Sequence, residues 1–149
     1  MAGSDRRDTN RMHAHWLLHP FLISIGGTLL IAAFPSDVMY SQTSLMQWSN
    51  ASEWLIAVGL FFALLAAIAL PVELLIQRDR RISWLDFILL ALAALLSLAN
   101  AFVHSRDGWT TVEPEGIWLS GISALLLAIV GLRGWRVVAL PIDREGGGS

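Results

Sequence analysis

Four stretches without a single Asp, Glu, Lys or Arg dominate the chain: residues 12–36, 54–72, 87–105 and 116–132, of 25, 19, 19 and 17 residues. About 20 mainly apolar residues in α-helix cross a hydrocarbon core of about 30 Å. Backbone in lipid has no water to bond to, and a helix satisfies its N–H and C=O groups internally. The expected fold is an all-α membrane protein, an up-down-up-down bundle of four transmembrane helices with both termini cytoplasmic. The spans are placed at about 20–38, 54–76, 84–104 and 117–140.

Composition narrows the function. The chain is 55% hydrophobic and 15% charged, against about one-quarter charged in a soluble domain. Four helices and their links occupy nearly all 149 residues, which leaves no separate soluble catalytic module. With no cysteine, disulfides, thiolate metal sites, iron–sulfur clusters and c-type haem attachment are excluded. A net charge of −2 offers no basic surface for nucleic acid. No HExxH, GxSxG, Walker or dinucleotide fingerprint is present, and Gly26-Gly27 lies inside a span with no strand before it. The reading is that of a non-enzyme.

Residues 1–15 read as a polar cytoplasmic tail, and the first span as an uncleaved helix rather than a signal peptide, its apolar run being too long for a signal core. Residues 141–149, ending GGGS, read as a flexible tail or a cloning remnant. Lysine is absent, and nine of ten arginines fall in the N-terminal tail, the 77–83 link and the C-terminal end, with Arg106 the exception. The positive-inside bias then places both termini and the 77–83 link in the cytoplasm of a bacterial inner membrane. Trp16, Trp54, Trp84, Trp118 and Trp135 stand near span ends, where amphipathic rings favour the headgroup zone.

Small residues recur at fourth positions: Ser24, Thr28 and Ala32; Gly59, Ala63 and Ala67; Ala93, Ser97 and Ala101; Gly116, Ser120, Ala124 and Ala128. Such rows let helix backbones approach in lipid, within one chain or in a homo-oligomer. Ionisable residues at membrane depth need partners and mark functional sites. At 100° per residue, Asp86, Ala93, Ser97, Asn100 and His104 fall within about 40° of one line on the third span, and His19 and Asp37 share a face of the first. Depth sorts them into two layers, His19, Glu73, Asp86 and Arg133 inside, and Asp37, Glu53, Asn100, His104 and Arg106 outside. The expected contacts are Arg133 with Glu73 or Asp86, and Asp37 with His104 or Arg106.

These residues support three readings: register-fixing pairs in a partner-binding module, a proton or ion path along the third span, and a b-type haem. A path lacks a titratable group between Asp86 and Ser97, about 16 Å apart. Haem would need two histidine nitrogens about 4 Å apart across iron, whereas His19 and His104 fall on opposite membrane sides. A surface metal on His13, His15 and His19 is disfavoured because Pro20 works against helix at His19.

The His19-Pro20 opening, the Phe34-Pro35-Ser36-Asp37 exit, the Trp54-to-Gly59 start of the second span and the closing Gly131-Leu132-Arg133-Gly134-Trp135 resemble a bacterial family of four-helix membrane proteins of unknown function, over about residues 17–138. The resemblance maps the family's His-Pro and far-end acid onto His19, Pro20 and Asp37. Where many members have a histidine early in the third span, this chain has Asp86. Relatives fused to or encoded near redox domains imply an accessory role beside electron-transfer components.

Overall fold

The computed structural model describes residues 18–76, 81–105, 114–135 and 137–139. Four helices, α1 (Leu18–Thr43), α2 (Met46–Ile76), α3 (Trp84–His104) and α4 (Glu115–Leu132), carry the fold. All four are long and apolar enough to cross a membrane. The tail calls on 1–15 and 141–149, and the sites of Arg106, Trp16 and most of the 77–83 link, lie outside the described residues.

Contacts at the helix ends give the order. The start of α1 meets the end of α2, the start of α3 meets the end of α4, and Asp37 late in α1 meets His104 at the end of α3. Neighbouring helices are therefore antiparallel. α1 packs on α2 and α4, α4 on α3, and α2 and α3 are the most loosely joined neighbours. We call the end where α1 begins basal and the opposite end distal.

Two helix ends differ from the sequence expectation. α1 and α2 together run through most of 39–53, and only Ser44 and Leu45 separate them, with Ser44 turning the chain at φ 53°. Hydropathy marks where hydrocarbon ends, not where helical hydrogen bonding ends, and this segment holds no glycine or proline to stop a helix. At the other extreme, α4 ends at Leu132, although the apolar pattern continues to Leu140. Gly134 (φ 91°) and Trp135 (φ 57°) adopt left-handed backbone and turn the chain back. Val138–Ala139 then pairs antiparallel with Arg81–Ile82, and Ser83 N–H donates to Val137 C=O at 2.6 Å.

That reversal carries Trp135 inward. Trp54, Trp84 and Trp118 are each about two-thirds exposed, as rings in a lipid interface should be. Trp135 instead lies between α1 and α4, packed on the core, because Gly27 and Gly131 leave room for its indole: a Cβ at Gly131 would stand 2.8 Å from it and one at Gly27 closer still. Gly26 and Gly59 play the matching part between α1 and α2, where a Cβ on Gly26 would meet the Gly59 carbonyl oxygen at 2.9 Å. The small-residue rows on α3 and α4 turn mostly inward, with Ala93, Ser97, Gly116, Ser120 and Ala124 buried. On α1 the inward row is His19, Gly26, Leu30 and Asp37, while Thr28 is exposed. The Ser24–Thr28–Ala32 row is thus not the α1 packing face within the chain.

Candidate functional site

The two polar layers expected from the sequence are present as distinct clusters. In the basal cluster, fully buried His19 sets Nδ1 2.5 Å from Glu73 Oε2. Glu73 Oε1 also accepts the Leu18 and His19 backbone N–H groups, at 2.8 and 3.0 Å. A helix start exposes donors that have no intrahelical partner and a positive dipole end. α1 has no acid in its own first turn, and α2 supplies one. That is why Glu73 pairs with His19 rather than with Arg133: counting side-chain charges overlooks the backbone donors of α1.

Asp86 takes the arginine. Arg133 Nε donates to Asp86 Oδ1 at 2.5 Å and Nη2 to Oδ2 at 3.4 Å, while Ser83 Oγ donates to Oδ2 at 2.6 Å. Arg133 follows the last residue of α4 and is half exposed, so its stem covers apolar surface while the head meets Asp86. The Asp86 carboxylate raises the Arg133 pKa above its ordinary value and keeps the guanidinium charged. Each basal pair ties one helix start to one helix end.

The distal cluster crosses the bundle. His104 Nε2 stands 3.1 Å from Asp37 Oδ1, His104 Nδ1 stands 3.1 Å from the Asn100 carbonyl oxygen, and Asn100 Nδ2 donates to Asp37 Oδ2 at 3.5 Å. All three side chains are buried. A carbonyl oxygen only accepts, so Nδ1 carries a proton. Between Nε2 and Oδ1 lies one further proton, on the ring as an imidazolium–carboxylate pair or on Asp37 with a neutral ring. Both arrangements leave the pair neutral overall, which suits a buried site. Glu53, placed in this layer by the sequence, is exposed.

The middle of the bundle holds a hydroxyl pair. Ser123 Oγ donates to the Ala93 carbonyl at 3.1 Å and lies 2.7 Å from Ser97 Oγ. Its single hydrogen is spent on Ala93, so Ser97 is the donor between the hydroxyls. Ser97→Ala is then expected to cost about 0.6 kcal/mol, the usual worth of such a bond in lipid. Ser123→Ala should cost measurably more, since it strands the Ser97 hydroxyl as well. Unfolding in mixed micelles compares the two, and equal costs would contradict this donor assignment.

All eight singled-out residues, His19, Asp37, Glu73, Asp86, Ser97, Asn100, His104 and Arg133, make one of these contacts. They do not form one site. His19 and Asp37 are eighteen residues apart along α1, about 27 Å, and His104 sits with Asp37. His19 and His104 of one chain are therefore not juxtaposed. Among the described residues no group of three His, Asp or Glu is placed to hold a metal. Two buried side-chain polar atoms among the described residues lack partners, His19 Nε2 and Asn100 Oδ1.

A cavity of about 230 Å³ opens in the basal half between α2 and α3. Only apolar side chains and glycines line it. Sequence periodicity marked none of this, because the cavity comes from small residues on three helices meeting where α2 and α3 splay. A family model described as Predicted membrane protein (DUF2231) matches residues 16–140. No curated protein and no solved structure matches the chain.

Proposed function

The chain belongs to the DUF2231 family of predicted membrane proteins, and within it we propose a non-catalytic module of the bacterial inner membrane that associates with a partner inside the bilayer. The observation that carries this reading is how the ionisable groups are used. His19–Glu73, Asp86–Arg133 and Asp37–His104 each join two helices. Between the layers the described polar side-chain contact is Ser97–Ser123. Such an arrangement fixes helix register and orientation. The one-sided arginines support cytoplasmic termini, which makes the basal layer the inner one.

The face offered to a partner is the outer side of α1. Ser24 and Thr28 bond their hydroxyls to the helix's own Phe21 and Ser24 carbonyls, at 2.8 and 2.7 Å, in a small-residue row that is exposed at Thr28 and half-buried at Ser24 and Ala32. Rows of this kind favour close helix contact in membranes. The partner is a second copy or, as the family resemblance implies, an electron-transfer component. The absence of native cysteine makes the test clean. Thr28→Cys is expected to cross-link in native membranes, whereas Phe61→Cys and Leu95→Cys on lipid-facing sides are not. Equal reaction at all three positions would count against a specific α1 contact. In liposomes carrying an internal pH dye, the wild-type chain is expected to leak protons no faster than lipid alone. Flux that disappears in Asp86→Asn would replace this reading with proton transport.

A further inference from the structure

The basal half holds a cavity that the pairing scheme does not use. Its lining includes Ile23 and Leu30 of α1, Ala67 of α2, Phe87 and Ala91 of α3, and Val137 of the C-terminal segment. Ala67, Phe87 and Ala91 are exposed, whereas Ile23 and Leu30 are buried. The space therefore opens along the α2–α3 seam toward acyl chains and reaches back to α1.

Ser83 marks the basal end of that seam. Ser83, Phe87 and Ala91 follow one another at fourth positions and share a face of α3. The Ser83 N–H donates to the carbonyl of the lining residue Val137, and its hydroxyl donates to Asp86, which holds Arg133. The backbone of Arg81 stands two residues earlier, in the strand paired with Val138–Ala139. Two arginines thus attach to the point where the seam ends. Arg133 is half exposed and spends two of its N–H donors on Asp86, out of about five that a guanidinium carries. The surrounding sequence is basic, residues 77–86 and 133–139 setting Arg78, Arg80, Arg81, Arg133 and Arg136 against Asp79 and Asp86.

Depth decides what kind of molecule meets both features. Trp84, two-thirds exposed at the start of α3, sets the headgroup level. Phe87 and Ala91 lie about 5 and 10 Å further along the helix, within the half-thickness of about 15 Å that the chains of one leaflet occupy. A lipid whose chain enters the seam there carries its phosphate at the level of Ser83 and the arginines. Volume suits a single chain. The cavity of about 230 Å³ exceeds the roughly 150 Å³ that admits a benzene molecule, so it takes a stretch of one acyl chain. A lining without polar side chains keeps water out, and an empty space would forfeit the dispersion contacts of its walls. Charge then selects the head group, because arginines at this level attract an anionic lipid over a neutral one.

We propose that the α2–α3 seam binds one anionic phospholipid from the leaflet on the basal side, with an acyl chain in the cavity and its phosphate received by Arg81 and Arg133. Arg133 keeps Asp86 meanwhile, since carboxylate and phosphate take different N–H groups. The site is separate from the outer side of α1 and independent of the partner contact proposed there.

The probe is phosphatidylglycerol with a photoactivatable diazirine midway along one acyl chain, added at low fraction to the full chain in phosphatidylcholine nanodiscs. Saturable cross-links are expected at Ile23 or Leu30, buried residues that surrounding lipid does not touch. Unlabelled phosphatidylglycerol should compete roughly thirtyfold better than phosphatidylcholine, the worth of two arginines beside an anionic head group. Arg81→Gln should lower that preference to about fivefold, and Arg81→Lys should keep it. Ala91→Leu, which narrows the mouth, should abolish the α1 cross-links, and Ala67→Leu on the facing wall should do the same if Ala91→Leu does not fold. Cross-links confined to lipid-facing residues, equal competition by the two lipids, or an unchanged preference in Arg81→Gln overturns the proposal.

Discussion

Asp37→Ala is expected to destabilise the bundle by about 3–5 kcal/mol, because it leaves the His104 ring buried opposite an empty space. In a chain of 149 residues that corresponds to a fall in unfolding temperature on the order of 10 °C. The effect should exceed that of any other single polar truncation here, for a topological reason. α1 and α3 are diagonal in the bundle, and the contact of Asp37 with His104 and Asn100 spans that diagonal at the distal end. Asp37→Asn should cost much less, about 1 kcal/mol. Its amide can donate to the Nε2 lone pair of a neutral ring while Nδ1 still donates to the Asn100 carbonyl. Replacing both partners with leucine should recover only part of the loss, since an apolar pair leaves no stranded charge but takes away the acceptor of the buried Asn100 amide. Unfolding of the four proteins in mixed micelles measures the series. If alanine and asparagine at position 37 cost the same, the shared-proton account of this pair is wrong.

The same pair shows what the sequence could reveal. Asp37 and His104 are each eighteen residues from another polar group on their own helix, and at 100° per residue that spacing returns to the same face. With both helices crossing the membrane in the same direction, the two were bound to share a depth. Asp86 and Arg133 were legible in the same way, through depth and opposite charge. Glu73 was not, because its partners include the Leu18 and His19 backbone amides, which no side-chain inventory contains. The basal cavity was equally invisible. Ala63 and Ala67 read as part of a close-packing row and Ala91 and Ala94 as ordinary apolar helix residues, and only the separation of α2 from α3 turns them into walls. Trp135 misled for a further reason. Its place after a long apolar run suggested the headgroup zone, but Gly134 and its own left-handed backbone reverse the chain before the run ends.

That reversal packs a partly buried Trp135 against the core, and its removal sets the second large effect. Trp135→Ala is expected to cost about 3 kcal/mol, the low end of the range for truncating a large packed aromatic. The indole contacts both apolar clusters and separates α1 from α4 at two glycines. Gly27→Ala should be damaging by itself, since its methyl group would overlap the six-membered ring of Trp135. The two losses should not add. With phenylalanine at 135 the ring is smaller, so Gly27→Ala should be tolerated better in a Trp135→Phe background than in the wild type. Gly26→Ala provides the contrast: its methyl would press on the Gly59 carbonyl oxygen, part of a backbone that no side-chain trimming moves. Trp135→Phe should therefore offset part of the Gly27→Ala cost and none of the Gly26→Ala cost. A double-mutant cycle in mixed micelles reads both couplings. Zero coupling between positions 27 and 135 would mean that the indole does not occupy the α1–α4 interface.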